Sequence, residues 1–311
     1  MDLLVATVRF VQFAAAVALF GAPLFFLYAL GEAARSGDAM LTWGRGLLRW
    51  SSAALLLGAL ASLLGQTAVM AGDPAMATNP EALRMVLTGT AFGYATAARL
   101  VLAVLALTAS LWLAPRLPLW LISVGAGALI LASFTWTGHG AVEEGAAGIA
   151  HAISDIIHLL AAGVWLGALV ALAVLLWRAR RGASAEALAA LHRALENFSG
   201  VGSLVVAALL ASGLVNSWFL VGLRPVDQIL ATPYGVLLLI KIVLFGLMLL
   251  LAAANRFRHT PGLGFALADG EDSAPATATL RRSVLVETLL AIGVLVLVSI
   301  LGMIAPVSAQ M

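Results

Sequence analysis

An all-α, polytopic membrane bundle of about eight transmembrane helices is the fold class this sequence predicts, on three observations. The chain of 311 residues is 62% hydrophobic and only 10% charged, whereas a soluble domain carries charge on about a quarter of its residues. Its apolar residues lie in long continuous stretches rich in Leu and Ala rather than in the short alternating segments of a transmembrane barrel. Each stretch is long enough to cross a hydrocarbon core of about 30 Å, which takes roughly 20 helical residues.

In chain order the predicted spans are Leu3 to Gly31, Arg49 to Ala71, Tyr94 to Leu113, Leu119 to Thr137, Ile149 to Trp177, Phe198 to Val221, Tyr234 to Asn255 and Val284 to Ala305. Between the second and third, Glu81 to Phe92 is only moderately apolar and fits either a short interfacial helix or an extension of the third span. The first stretch carries Asp2, has no basic residue before Arg9 and lacks a small-residue cleavage site, so it reads as a retained span rather than a signal peptide. Trp43, Trp50, Trp112, Trp120, Trp136, Trp177 and Trp218 fall near span ends, where the amphipathic indole favours the headgroup layer. Trp165 sits deeper. The spans divide into an N-terminal four-helix region, 1–145, and a C-terminal one, 146–311.

Orientation follows from the basic residues, because Lys and Arg are retained on the cytoplasmic side during insertion. The loops after spans one, three, five and seven hold 12 arginines, and the opposite loops hold only Arg84 and Arg224. Both termini are therefore expected outside, facing the periplasm or cell exterior.

Against this apolar background one stretch stands out: His151-Ala-Ile-Ser-Asp155-Ile-Ile-His158. Positions i, i+4 and i+7 share one face of a helix, so two imidazoles and a carboxylate form a stripe in the outer half of span five. Ionisable groups in hydrocarbon are costly and rarely lack a partner or a function. Two histidines with an aspartate between them match the donor set of a metal site; haem ligation, a proton relay and a structural role are the other readings. His139, in a Gly-His-Gly setting of the preceding loop, is a weaker fourth ligand candidate.

Other polar residues are expected at similar depth: Arg9, Gln12 and Gln66, then Arg99, Asn216 and Lys241. The basic ones can pair with Asp155, bond to backbone carbonyls, or snorkel to the interface. The inner half is far less polar, with Glu287 the main exception. Met70, Met76, Met85 and Met303 lie toward the outer side, but eight methionines in this length are no enrichment and read as apolar fillers. Cysteine is absent, which removes thiolate metal sites and disulfides. Neither a phosphate-binding loop nor a soluble domain for ATP hydrolysis is present, so any transport is expected to run downhill, on a gradient or on a partner's energy, and the protein is read as a non-enzyme with a membrane redox protein as the alternative.

The His151/Asp155/His158 stripe is followed by Ala161-Ala162-Gly163-Val164-Trp165-Leu166-Gly167, then Phe198-Ser199 and Ser212-Gly213-Leu214-Val215-Asn216. Thr232-Pro233-Tyr234-Gly235, Lys241 and Asn255-Arg256 complete the series. Over these motifs, roughly residues 150 to 260, the chain resembles the CopD copper-resistance membrane proteins. The resemblance implies an eight-span inner-membrane protein that works with a periplasmic copper carrier of the CopC type and imports or accepts copper ions from that side. It also implies that His151, Asp155 and His158 handle the metal, with Asn216 and Lys241 in support. Arg99 and Trp165 join the supporting set.

Two further classes remain open on the sequence. One is a membrane redox protein binding haem or porphyrin; His151 and His158, on one helix, cannot clasp a haem from both faces. The other is a non-transporting assembly partner whose polar stripe docks another subunit, as polar residues do between membrane helices.

Overall fold

The computed structural model describes residues 2–30, 38–137, 145–180 and 183–309. Among them there is no strand, and eight helices are long and apolar enough to cross a membrane. They are α1 (Asp2–Ala29), α2 (Asp38–Ala71), α4 (Ala91–Trp112), α5 (Leu117–Ser133), α6 (Gly145–Ala179), α7 (Ala185–Val221), α9 (Pro233–Ala254) and α11 (Ala274–Leu301). Shorter helices intervene: α3 (Pro80–Gly89), α8 (Val226–Leu230) and α10 (Thr260–Ala268), the last continuous with α9 through a π-helical turn at Asn255–His259. All eight predicted spans are present.

Their ends differ from expectation where helix-forming residues run on past the apolar stretch. Helix α7 starts at Ala185 rather than Phe198, because Ser184 caps the run Ala185-Glu186-Ala187 by accepting the Ala187 N–H, and Ala, Leu and Glu keep a helix intact outside hydrocarbon. Helix α11 likewise begins at Ala274 rather than Val284; at its other end it stops short of Ala305, at Leu301, where Gly302 is the C-cap.

The undecided segment after α2 resolves into a separate helix. Asn79 Oδ1 accepts the N–H groups of Glu81 and Ala82 to start α3, and Thr90 Oγ1 accepts that of Gly93 to start α4. Thr90→Val removes the second cap while keeping the shape. It is expected to lower stability by about 1 kcal/mol, read as a reduced unfolding temperature in detergent.

Helix α1 is central. Of its most apolar stretch 72% is buried, against 6% for that of α9, which puts α9 at the lipid-facing rim. One contiguous core joins α1 to α6 through Phe20, Phe25, Leu131, Trp165, Leu169 and Leu172. Helices α1 and α6 meet at glycines: a Cβ on Gly21 would sit 2.8 Å from Gly167 Cα, and one on Gly167 would sit 2.7 Å from Ala22 N. Close backbone approach of this kind is how membrane helices associate when apolar burial no longer distinguishes protein from lipid.

Of the tryptophans expected at the interface, Trp50, Trp112, Trp136, Trp177 and Trp218 are exposed, while Trp120 is buried against Phe26. Indole placement near a span end therefore does not by itself distinguish a lipid anchor from a core residue.

Candidate functional site

Consecutive spans alternate in direction, so the starts of α1, α4, α6 and α9 share one end of the bundle with the finishes of α5, α7 and α11. Arg9 of α1 donating to Ser299 O of α11 at 3.2 Å brings the start of α1 and the finish of α11 together there. The polar residues noted in the sequence gather at this end.

Helix α6 presents two unlike faces. Ile149, Ile153 and Ile157 are exposed, while His151 and Ser154 are buried and Asp155 and His158 are half-buried on the inward side. The inward stripe meets a matching one on the antiparallel α7. His151 stacks on Phe219 with ring centroids 4.7 Å apart. Asp155 Oδ1 accepts from Asn216 Nδ2 at 3.4 Å. His158 Nδ1 lies 3.0 Å from Ser212 Oγ. The rungs follow from geometry: 151, 155 and 158 ascend one helix as 219, 216 and 212 descend the other, both at helical spacing.

From the other side Asp155 is held by the first half of the chain. Thr135 Oγ1 donates to Asp155 Oδ2 at 2.9 Å from the 3₁₀ turn Phe134–Thr137 that closes α5. Arg99 fixes that turn and does not pair with Asp155. Its Nε donates to Ser133 Oγ at 2.7 Å, its Nη2 to Ser133 O at 3.0 Å and Thr137 Oγ1 at 2.8 Å, and its guanidinium lies over the Phe134 ring at 4.3 Å. Arg9 reaches the same turn through Thr137 O. Backbone and hydroxyl oxygens thus satisfy the buried Arg99 and the half-buried Arg9, as hydrocarbon requires.

Lys241 of α9 lies within electrostatic reach of both Asp155 and His158. Among the described residues it makes no ion pair with Asp155, the one ion pair there being His192 with Glu196. Trp165 is elsewhere: two turns below His158, its indole donates to Glu287 Oε1 at 2.8 Å in the opposite half of the bundle. His139 lies outside the described residues. Met70 and Met85 are exposed.

The three side chains of the stripe do not form one cage. Each reaches a separate neighbour, and among the described residues no group of three or more His, Cys, Asp or Glu side chains is close enough to hold a metal ion. The reason is geometric: His151 and His158 are about 10 Å apart along the helix at 1.5 Å per residue, whereas metal–ligand bonds are about 2 Å. A shared stripe is a ladder of levels rather than one site.

At its upper level the ladder has unused capacity. Among the described residues, His151 Nδ1 and Asn216 Oδ1 are buried without a hydrogen-bond partner. Such atoms are uncommon in folded proteins and require an occupant or another explanation. Imidazole nitrogen with carboxylate and amide oxygen suits a borderline transition-metal ion.

Thr135, Ser133, Thr137, Ser212 and Phe219 are the neighbours of the candidate site that reading the sequence did not single out as site residues. Only Ser212 and Phe219 carry a signal there, through their spacing to Asn216.

Two family patterns match the chain: "Copper resistance protein D-like, N-terminal domain" over residues 1–149 and "Copper resistance protein D" over residues 192–301. His151, Asp155 and His158 fall between these two matched stretches. Among curated proteins, the chain is 37% identical to Copper resistance protein D of Pseudomonas syringae pv. tomato over 98% of this chain and 97% of that protein. It is 29% identical to the Inner membrane protein YebZ of Escherichia coli K12 over 70% of each. It is also 36% identical to the Copper transport protein CutJ of Bacillus subtilis 168 over 40% of this chain and 22% of that protein. No solved structure matches. Near end-to-end likeness and eight apolar helices agree that this multi-pass inner-membrane protein belongs to the copper resistance protein D family.

Proposed function

We propose that this protein takes copper ions from a periplasmic carrier of the CopC type at the end of the bundle that holds both termini, and moves them inward along the α6 stripe. Copper is cargo here. The observation that carries the reading is Asp155, held from both sides by Thr135 and Asn216 between two imidazoles, with His151 Nδ1 and Asn216 Oδ1 left for a ligand.

The ion enters at the level of His151 and Asp155, and passes about 5 Å further along the helix to His158. Two weak levels in series let an ion enter without trapping it, as conduction requires. Both halves of the chain contribute, since residues 146–311 supply the ladder and residues 1–145 supply the Arg99-braced turn that aims Asp155. The arginine distribution supports reading this end as the outer one.

The test is copper uptake into proteoliposomes with a copper-loaded carrier outside. His151→Ala and His158→Ala are each expected to cut the initial rate severalfold with folding intact. Wild-type rates in both variants would remove the stripe from the pathway.

A further inference from the structure

A second polar cluster lies in the half of the bundle away from the His/Asp ladder. Glu287 of α11, 2% exposed, accepts from Trp165 Nε1 at 2.8 Å on Oε1 and from Asn255 Nδ2 at 3.0 Å on Oε2. Among the described residues, Asn255 Oδ1 is buried and has no hydrogen-bond partner. Asn255 also opens the π-helical turn in which α9 widens before α10, a distortion of the kind often retained at functional sites. These groups border a cavity of about 340 Å³ between α6, α7, α9 and α11.

Most of the cavity wall is apolar, formed by residues such as Leu169, Val206 and Leu249, and Glu287 and Arg256 are its charged members. Arg256 lies where the cavity meets the surface, donating to Ser199 O at 2.9 Å and to Ser203 Oγ, and its neighbour Phe257 is exposed. Among the described residues no basic side chain forms an ion pair with Glu287. A buried carboxyl so placed is either neutralised by a proton or balanced by a cation that comes and goes. The guanidinium at the mouth opposes a metal cation, and a single carboxylate with one amide is a sparse donor set for one. A proton needs only one acceptor oxygen, and hydrogen-bonded water can relay it past the guanidinium without carrying a whole ion through the mouth.

The Asn255 amide fits both protonation states. With Glu287 ionised, Nδ2 donates to Oε2 as observed. With Glu287 protonated, a half-turn of the amide lets Oε2–H donate to the now-facing Oδ1, the atom that otherwise lacks a partner. Trp165 keeps Oε1 in either state.

We propose that Glu287, Asn255 and Trp165 form an exchangeable proton site, reached by water through this cavity from the end of the bundle opposite the His/Asp ladder. The proton passes from cavity water to Glu287 Oε2 and returns by the same path. This assignment is independent of the copper reading.

The purified full-length protein in lipid vesicles tests it by infrared difference spectroscopy across a pH titration without copper. A protonated-carboxyl C=O band that grows with acidification, shifts in D₂O, is indifferent to exchange of sodium for choline and is missing in Glu287→Gln is the expected result. A band unchanged in that variant, or one that follows sodium rather than pH, overturns the proposal. Should Glu287→Gln fail to fold, Trp165→Phe keeps the carboxyl and removes one donor; the band frequency is then expected to move, and an unaltered band overturns the proposal equally. Because the chain has no cysteine, Ala253→Cys reports access. Reaction with a membrane-impermeant thiol reagent from one vesicle orientation supports the water path, and no reaction from either removes it.

Discussion

Asp155→Asn is expected to lower copper uptake in proteoliposomes by about 10- to 100-fold, the range typical of groups that orient or charge a metal site, without unfolding the protein. The substitution is nearly isosteric, and the local hydrogen bonds are able to re-form. The Thr135 hydroxyl still has an acceptor, and Asn216 has an unpartnered Oδ1 that an amide at position 155 satisfies after rotation. What disappears is the negative charge between His151 and His158, within reach of Lys241. Without it an entering cation faces the lysine uncompensated, and a cation at this depth is expensive.

Lys241→Gln supplies the opposite control. Relieved of like-charge repulsion, the site is expected to retain more copper after a gel-filtration step while uptake slows, because a tighter level releases its ion less readily. Unchanged retention in Lys241→Gln together with wild-type uptake in Asp155→Asn would show that neither charge acts on the cargo.

The largest stability effect is expected at the α1/α6 crossing. Gly167→Leu drives a side chain into Gly21 and the Ala22 N–H, which are backbone atoms and cannot rotate aside. The helices have to separate, and Phe20, Leu169 and the rest of the shared core lose contact together. Overpacking a core costs typically 1–3 kcal/mol where side chains are able to give, so a loss of about 3 kcal/mol or more is expected here. It would appear as a collapsed monodisperse peak on size-exclusion chromatography and a lower unfolding temperature. Gly246→Leu on α9 is the matched control, since a Cβ there meets nothing within 4 Å. Equal loss in both variants would mean that a bulky side chain on any span, not the crossing, sets the outcome, since Leu forms helix better than Gly.

The sequence already contained the pair behind this prediction, Gly163-x-x-x-Gly167, inside the stretch Ala161 to Gly167 that carries the family likeness. Its meaning was not legible there, because small residues four apart mark a close crossing only when a partner helix brings a small residue of its own. Gly21 lies more than a hundred residues upstream. The same limit separates Trp120 from Trp112: both sit at span ends, yet one is in the core and the other exposed.

Span number, helical class and the inward stripe of α6 were set by local physics: the length of apolar runs against the thickness of hydrocarbon, and the 3.6-residue period that puts His151, Asp155 and His158 on one face. What those residues touch was decided by tertiary structure alone. The antiparallel register of α6 and α7 brings Phe219, Asn216 and Ser212 to successive rungs, and the Arg99-braced turn delivers Thr135 to Asp155 from the other half of the chain. Periodicity along one helix says which way a side chain points, but only packing between helices says what waits for it there, and that is why one stripe became a ladder of separate levels rather than a single cage.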